Sequence, residues 1–302
     1  MLFSEDELES LRKAGKIASE VRRWSEKFVK EGIKIIDICE AVENEIIKRG
    51  GRPAFPCNVD VNEVSAHYTS PPNDQSVIPL NSIVKVDIGV HVNGYIADTA
   101  TSICFNFEYS PLKQAADEAL EAAMKIVKSG VKVSTIGEAI QNIIEKKYDL
   151  KPIRNLTGHG LGRFTVHSET HIPNVSTMDL YRLKDYNVYA VEPFVTTRSG
   201  AGEVAESGSG YIYRIVKDKF PKGGDAELLL NSLKNNFYSL PFALRWAAKV
   251  SPIKDFKNAF NTLLHKRCVL GYPLFVEKKL EPVSQAEHTF IVLKDYVEIT
   301  TL

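Results

Sequence analysis

The sequence has 302 residues, of which 38 are basic (Lys and Arg) and 38 are acidic (Asp and Glu), so its formal charge is zero. This length allows one large domain or two modest ones with a proper core, and the neutral balance argues against a nucleic acid or an anionic membrane as the main partner. Four scattered cysteines without a CxxC motif, no signal-peptide pattern and no apolar run near the ~20 residues of a membrane span favour a cytoplasmic protein.

Apolar periodicity and end signals predict four helices outside the C-terminal third, over about 4–30, 36–49, 111–129 and 134–147. The first begins with a capping-box pattern, in which Ser4 is followed three residues later by Glu7. The second ends at a Gly-Gly pair, which is a common helix stop.

Two of these helices belong to a repeated segment. GIKIIDICEAVENEI (32–46) and GVKVSTIGEAIQNII (130–144) share seven of fifteen residues at an offset of 98. Amphipathic helices resemble each other by chance, but the shared Gly, Lys, Asn and Glu-Ala positions favour a duplication. We therefore expect two related halves around an approximate two-fold axis, with a site in the cleft between them.

The stretch KVDIGVHVNGYIADT, which begins at residue 85, is typical of a β-hairpin. Its Asn-Gly pair at 93–94 favours a two-residue type I′ turn. Residues whose numbers sum to 187 then face each other, which places Asp98 opposite Gly89 and Asp87 opposite Ala100. The core face would carry Val84, Val86, Ile88 and Val90.

In this register Asp87 and Asp98 are diagonal neighbours on one face, with Cβ atoms about 7 Å apart. Two such carboxylates repel each other unless a proton or a cation lies between them. A pair of metal ions ~3.5–4 Å apart has the right size to be bound between these two carboxylates. The alternative is a pair of surface aspartates on an exposed edge hairpin, since Asp is common at turns and strand ends.

Three later stretches place further ligand-type side chains among glycines or apolar residues. TGHGLGRFTVH contains His159 and His167, YAVEPF contains Glu192, and AEHTFIV contains Glu287. A single His or Glu in such a place is usually structural. Carboxylate oxygens with one imidazole suit Mn, Fe, Co or Zn, so the combined set favours a metal site.

From about residue 211 to 267 the sequence changes to short helical patterns with scattered lysines. PKGGDAELLLNSLKNNF, FALRWAAKV and IKDFKNAFNTLLHK are each typical of a helix. We assign 206–270 to an inserted helical, winged-helix-like subdomain, and 1–205 with 271–302 to the main catalytic domain. The lysines are too sparse for a specific nucleic-acid site and indicate a solvated face.

Five motifs together resemble the methionine aminopeptidases of type 2, in their short archaeal-type form: FPCNVDVNEVSAHYTS (55–70), VDIGVHVNGYIADTA, TGHGLGRFTVH, VEPF and GYP…QAEHT (271–289). The resemblance extends from Phe3 to the C-terminus. It implies the pita-bread α/β (α+β) fold, in which two pseudo-two-fold-related halves surround a curved antiparallel sheet. The type 2 class also carries a helical insert between its fourth and fifth ligand, here between Glu192 and Glu287.

The same resemblance implies the site residues. Two divalent ions (Co, Mn, Fe, Ni or Zn) would be held by Asp87, Asp98, His159, Glu192 and Glu287, with Asp98 and Glu287 bridging. Substrate contacts would come from His67 and His167, and a slot for the methionine side chain from Phe55, Tyr272 and Phe275.

The implied reaction removes the N-terminal methionine of nascent polypeptides. Hydroxide activated by the two ions would attack the first peptide bond. His167 would polarise the carbonyl, Glu192 would carry the proton to the leaving amine, and His67 would bond near the scissile amide. The resemblance further implies a monomer with at most a transient ribosome contact and no specific nucleic-acid partner.

Two rival interpretations remain at this point. X-Pro peptidases share the five ligands but usually carry a larger N-terminal domain, and non-enzymatic relatives of the fold have lost ligands.

The sequence says less about the roles of the residues near these motifs. Glu169 and His171 are expected at the surface or behind the ligands, and the Gly/Ser-rich loop 196–210 is a candidate for one edge of the pocket.

Overall fold

The structure is a computed structural model that describes residues 2–217 and 223–302. Seven α-helices occur in these residues: α1 (Glu5–Phe28), α2 (Ile35–Lys48), α3 (Ser110–Ile126), α4 (Val133–Gln141), α5 (Asp225–Phe237), α6 (Leu244–Val250) and α7 (Phe256–His265). The four helices predicted outside the insert are confirmed to within a few residues. The predicted last turns of α4 differ, because the helix continues as a π-helix at Asn142–Lys147.

The strands in the same described ranges are β1 (Arg52–Pro53), β2 (Asn58–Val61), β3 (Val64–Ala66), β4 (Ile83–Val92), β5 (Tyr95–Cys104), β6 (Lys151–Pro152), β7 (Thr157–Leu161), β8 (His171–Pro173), β9 (Asn187–Val191), β10 (Phe194–Thr196), β11 (Val204–Ile215), β12 (Phe242–Ala243), β13 (Val269–Glu277), β14 (Val283–Gln285), β15 (His288–Val292) and β16 (Val297–Ile299). They form four antiparallel sheets. In the first, β4 pairs with β1, β2 and β5; the others have the orders β14-β10-β6, β12-β11-β13-β3 and β16-β15-β9-β7-β8.

The predicted capping box at the start of α1 is confirmed. The amide of Ser4 donates to Glu7 Oε2 over 2.8 Å, and the amide of Glu7 donates to Ser4 Oγ over 3.3 Å. Two of the four amides that a helix start leaves without partners are thus satisfied. The helix therefore begins where the sequence predicts it.

The hairpin of β4 and β5 has the predicted register. Asp87 pairs with Ala100 and Gly89 with Asp98. The alternate residues of β4 are buried against α1 and α2, as the period of two requires, and comprise Val84, Val86, Ile88 and Val90. One face of the hairpin is therefore core, and the other is free to carry polar groups.

The two repeated segments have matching main-chain surroundings. Gly32 and Gly130 both have positive φ, of 80° and 75°. The amide of Gly32 donates to Ile78 O (2.8 Å), and the amide of Gly130 donates to Leu183 O (2.9 Å). Each segment then forms one antiparallel bridge, through Lys34 in the first and Lys132 in the second. The repeat found in the sequence is therefore also a repeat in three dimensions.

Each half of the fold supplies two helices to a hydrophobic core of its own. The first core combines α1 and α2 with the inner face of β4. The second combines α3 and α4 with β9 and β15. The first and fourth sheets meet along β5 and β15, so the polar faces of both halves lie side by side.

The helices predicted between residues 211 and 267 are present as α5 to α7, except that Pro221 and Lys222, at the start of the first prediction, lie outside the described residues. The three helices pack around a hydrophobic cluster of their own, which includes Leu229, Phe242, Phe260 and Leu263. They are connected through β11 and β13, which pair with each other from Val204–Glu277 to Ile215–Val269. A search of the described residues finds no helix long and apolar enough to cross a membrane.

Candidate active site

A cavity of about 340 Å³ lies against the polar faces of the two halves. Its lining includes every site residue that the sequence analysis named: Phe55, His67, Asp87, Asp98, His159, His167, Glu192, Tyr272, Phe275 and Glu287. These residues are spread over 233 positions of the chain (287 − 55 + 1). Their convergence in one cleft follows from the meeting of the two half-sheets.

The four carboxylates reach the cavity from the centres or ends of adjacent strands. Asp87 and Asp98 lie within β4 and β5. Glu192 follows β9 directly, and Glu287 directly precedes β15; these strands pair so that Val191 faces His288. Glu192 and Glu287 are therefore brought together by strand register, which spacing along the sequence does not reveal.

His159 lies among these carboxylates at distances that are too long for hydrogen bonds. Its Nε2 is 3.7 Å from Asp98 Oδ2 and 3.8 Å from Glu192 Oε1. Its Nδ1 lies 3.4 Å from the carbonyl oxygen of Gly160, which can only accept a hydrogen bond. Burial lowers the pKa of His159 to about 4. The neutral ring therefore directs the lone pair of Nε2 toward the carboxylates, as a metal ligand must.

The protein surroundings destabilise the charged form of the four site carboxylates and so raise their pKa values. Burial raises the pKa of Asp87 to about 6. Burial, followed by repulsion from neighbouring carboxylates, raises the pKa values of Asp98 and Glu287 well above the usual range, and burial with repulsion from Asp87 does the same for Glu192. A bound cation would reverse these shifts, because it favours the charged form of every carboxylate around it.

Several buried oxygens of the cluster accept no hydrogen bond within residues 2–217 and 223–302: Asp87 Oδ1, Asp98 Oδ1 and both carboxylate oxygens of Glu287. A buried carboxylate oxygen without a hydrogen-bond partner destabilises the folded protein unless a bound group compensates it. One donor atom each from Asp98, His159 and Glu287 lies within 4.8 Å of the others. The donor set thus fits a divalent cation, with hard oxygens and one imidazole.

His67 has an unusual backbone, with a φ of 73°. Its Nδ1 lies 3.2 Å from the carbonyl oxygen of Pro273, so this nitrogen carries the proton of the neutral ring. Burial lowers the pKa of His67 to about 4. Its Nε2 is therefore an acceptor near neutral pH. The ring packs against Tyr272 and Phe275, with centroids 5.4 and 5.0 Å away.

His167 lies beside the ligand-type histidine, with ring centroids of His167 and His159 4.4 Å apart. Its side chain is exposed to the cavity. The surrounding protein desolvates the ring, and repulsion from His159 adds to this effect, so the pKa of His167 lies well below its usual value. A neutral imidazole retains one N–H that can donate to a ligand in the cavity.

The rest of the cavity lining contains the three predicted aromatic residues and several apolar and polar residues that sequence reasoning missed. Gly89 makes room for Phe55, since a Cβ at Gly89 would lie 2.2 Å from the Phe55 ring. The missed residues are Asn58, Ala66, Asn155, Leu156, Thr157, Val166, Phe194, Ile212 and Pro241. Asn58 had a signal, because it stands in the motif FPCNVDVNEVSAHYTS (55–70), and the structure pairs it with Asp87 across β2 and β4. Ile212 and Pro241 lie within the insert assigned to 206–270 and had none.

The structure locates His171, Glu169 and the loop 196–210, whose roles the sequence left open. His171 lines the cavity, with its Nδ1 3.3 Å from Thr157 Oγ1, whereas Glu169 is exposed and does not line it. The loop 196–210 contributes no side chain to the lining. Its last residue, Gly210, instead packs against the backbone of His67.

Comparison with known proteins agrees with this geometry. Residues 9–218 match the model of metallopeptidase family M24. Over 296 residues the chain is 40% identical to a methionine aminopeptidase of Pyrococcus horikoshii, covering 98% of this chain and 99% of the relative. The chain belongs to the methionine aminopeptidases of metallopeptidase family M24.

Solved structures show the same fold at lower identity. The crystal structure of a methionine aminopeptidase from Thermotoga maritima matches with a TM-score of 0.71 at 22% identity, covering all of this chain and 98% of that one. A thermophilic Arx1 matches with a TM-score of 0.81 at 17% identity, covering 99% of this chain and 91% of that one. This M24 member therefore has the pita-bread fold, as its motifs predict.

Proposed function

We propose that the protein removes the N-terminal methionine from polypeptides in a reaction that requires divalent metal ions. It would thus be a metalloaminopeptidase, a hydrolase. The observation that carries this proposal is the convergence of five ligand-type side chains on one cavity that also has an apolar lining. Membership of the methionine aminopeptidases supports the substrate.

Five residues would hold a pair of metal ions: Asp87, Asp98, His159, Glu192 and Glu287. The orphaned oxygens of Asp87, Asp98 and Glu287 support their inclusion in this set. When bound, such ions polarise a carbonyl and lower the pKa of water to near neutrality. The ligand set alone accepts several metals, among them Co, Mn, Fe, Ni and Zn.

The remaining polar groups would orient and protonate the substrate. The acceptor Nε2 of His67 suits the N–H of the scissile amide, and the N–H of His167 suits the substrate carbonyl. Glu192 would move a proton to the leaving amine. Gln285 supports this role, because its Nε2 donates to Glu192 Oε2 over 3.3 Å and holds that carboxylate toward the cavity.

The methionine side chain would be bound by apolar contacts. Phe55, Tyr272 and Phe275 offer aromatic surfaces on the cavity wall. A misfit of one methylene in such a pocket reduces the rate only about 10–200-fold, so close analogues of methionine would react slowly.

We also propose that residues 206–270 form an inserted subdomain on the catalytic domain of 1–205 and 271–302, which its separate hydrophobic cluster supports. The expected partners are nascent chains in the cytoplasm, met by a monomer with at most a transient ribosome contact. Size-exclusion chromatography with light scattering tests the monomer, and co-sedimentation with ribosomes tests the contact.

The activity is tested with Met-Ala-Ser and Ala-Pro peptides, each with added Mn²⁺ or Co²⁺ and each with a chelator. Metal-dependent release of methionine supports the proposal. Cleavage only before proline would instead identify an X-Pro peptidase, and no turnover with any metal would identify a binding protein. Asp98→Asn is the matched control, because it keeps the side-chain shape and removes one ligand charge.

A further inference from the structure

The seam between β5 and β15 is not closed by a regular ladder of main-chain hydrogen bonds. Among the described residues, one main-chain hydrogen bond crosses it, from the amide of Glu287 to the carbonyl oxygen of Ala100 (3.2 Å). Buried main-chain groups need partners. On either side of this central bond, the partners are side-chain hydroxyls.

On one side, the hydroxyl of Thr289 binds both main-chain groups of Asp98. The amide of Asp98 donates to Thr289 Oγ1 over 2.8 Å, and Thr289 Oγ1 donates to the carbonyl oxygen of Asp98 over 2.8 Å. Thr289 is fully buried. A hydroxyl can play both parts at once because it has one proton and two lone pairs.

On the other side, the hydroxyl of Ser102 binds both main-chain groups of Gln285. The amide of Gln285 donates to Ser102 Oγ over 2.8 Å, and Ser102 Oγ donates to the carbonyl oxygen of Gln285 over 2.8 Å. Ser102 is also fully buried. The pattern is the same as that of Thr289, with the roles of the two strands exchanged.

These two hydroxyl clamps are related by the pseudo-symmetry of the fold. The central bond joins Glu287 to Ala100. One clamp joins Thr289, two residues after Glu287, to Asp98, two residues before Ala100. The other joins Gln285, two residues before Glu287, to Ser102, two residues after Ala100. Exchanging β5 with the opposite side of the seam, where Gln285 ends β14 and Thr289 lies in β15, converts one clamp into the other. The clamps are therefore a feature of the duplicated seam and not of one half.

Both clamped residues touch the metal-type cluster. Asp98 is one of its carboxylates, and Gln285 donates to Glu192. We propose that Thr289 and Ser102 are positioning residues that fix these two side chains across the seam at the spacing that metal binding requires. This proposal rests on the proposed function, because it assigns the clamps to that same site.

The main test compares Thr289→Val with Thr289→Ser. Valine has nearly the same shape but no hydroxyl, whereas serine keeps the hydroxyl. Thr196→Val is the matched control, since Thr196 is fully buried and its hydroxyl donates to Pro282 O (3.0 Å), away from the seam. Calorimetric titration with Mn²⁺ and peptide kinetics are measured on all three variants.

For Thr289→Val we expect Mn²⁺ affinity to fall about 10–100-fold, the loss typical when a group that supports a ligand is removed. We expect kcat to fall with KM little changed, and Thr289→Ser to restore both. Thr196→Val should bind Mn²⁺ as the wild type does. Equal Mn²⁺ affinities of Thr289→Val and Thr196→Val would overturn the proposal.

Amide hydrogen exchange measured by NMR on the chelated protein tests the clamps without metal. The amide of Asp98 should exchange faster in Thr289→Val, and the amide of Gln285 faster in Ser102→Ala. Unchanged rates would overturn the proposal even if metal binding were altered. A wild-type protein that binds none of Mn²⁺, Co²⁺, Fe²⁺, Ni²⁺ and Zn²⁺ would refute the proposed function alone, while the exchange rates would still decide whether the hydroxyls hold the seam.

Discussion

The carbonyl oxygen of His67 occupies the space where a side chain at Gly210 would lie. A Cβ built on Gly210 is 1.7 Å from this oxygen, which is far inside contact distance. The amide of Thr69 also donates to Gly210 O over 3.1 Å. Gly210 therefore supports the segment that holds His67 at its positive φ of 73°.

Gly210→Ala should displace His67 from the cavity. We expect kcat for Met-Ala-Ser to fall about 100-fold, because a displacement on the order of 1 Å at a reacting group has that effect. Metal content should not change. Gly271→Ala is the control, since its nearest neighbour, Tyr213 Cε1, would be 3.3 Å away. Similar kinetics for both variants would show that the contact is unimportant.

Gly89→Ala should alter the apolar lining while leaving the ligands in place. The new Cβ would lie 2.2 Å from the Phe55 ring, so the ring must move. We expect a higher KM for methionyl peptides and a smaller change in metal affinity. Gly162→Ala, where the nearest atom would be 3.4 Å away, serves as the control. An unchanged KM in Gly89→Ala would argue against Phe55 as a methionine contact.

Asp98→Ala should abolish turnover and weaken metal uptake, because it removes a buried carboxylate close to His159 and Glu287. The fold should persist in the chelated protein, since the variant also removes a repelled buried charge. Metal content by atomic emission, circular dichroism and peptide assays check these outcomes. Wild-type turnover in this variant would contradict the ligand assignment.

His167→Ala should keep the metal and lose rate. The side chain faces the cavity beside His159 but is expected to donate to the substrate carbonyl as charge develops there. Loss of one such donor reduces kcat by about 100–1,000-fold. Unchanged metal affinity with a lower kcat is the expected result. A matching loss of metal would instead make His167 part of the ligand set.

The chelated protein should become less stable as pH rises from about 6.5 to 8. Burial and repulsion raise the pKa values of Asp98, Glu192 and Glu287, so the folded state holds protons that the unfolded state has already released near pH 4. A raised pKa gives stability that is lost as pH rises. The buried histidines have lowered pKa values and act in the opposite direction only below about pH 6.5. Burial lowers the pKa of Lys85 to about 7, so this group opposes part of the decline above pH 7.

Urea denaturation at several pH values, with chelator and with Mn²⁺, checks this dependence. Mn²⁺ should remove the loss of stability, because the cation favours the charged carboxylates. In chelator, the free energy of unfolding of Asp98→Asn should decline less steeply with rising pH, since this variant lacks one carboxyl group with a raised pKa. A chelated wild type whose free energy of unfolding is constant over this range would contradict the expected coupling.

Local signals in the sequence predicted much of the fold. The Asn-Gly turn fixed the hairpin register, and the capping box fixed the start of α1, because both depend on a few adjacent residues. The π-helical end of α4 was missed because its residues continue an ordinary helical pattern. Helix type there depends on packing that periodicity does not encode.

The site was predictable to the extent that its residues stand in recognisable motifs. Asp87 and Asp98 could be related to each other by hairpin geometry alone, whereas His159, Glu192 and Glu287 were added to them by residue type and motif context, and their roles came from the family resemblance. Contacts such as Thr289 with Asp98 join residues 191 positions apart. No pattern in a single sequence shows that two such distant residues meet.

Neither half of the duplicated fold contains a complete set of ligand-type donors. Asp87 and Asp98 belong to the first half, and His159, Glu192 and Glu287 to the second. If the proposed ligand set holds the metal, high-affinity capture would have to await the docking of both halves. A chain still emerging during synthesis would have little hydrolytic power, and acquisition of the ion would mark the end of its maturation.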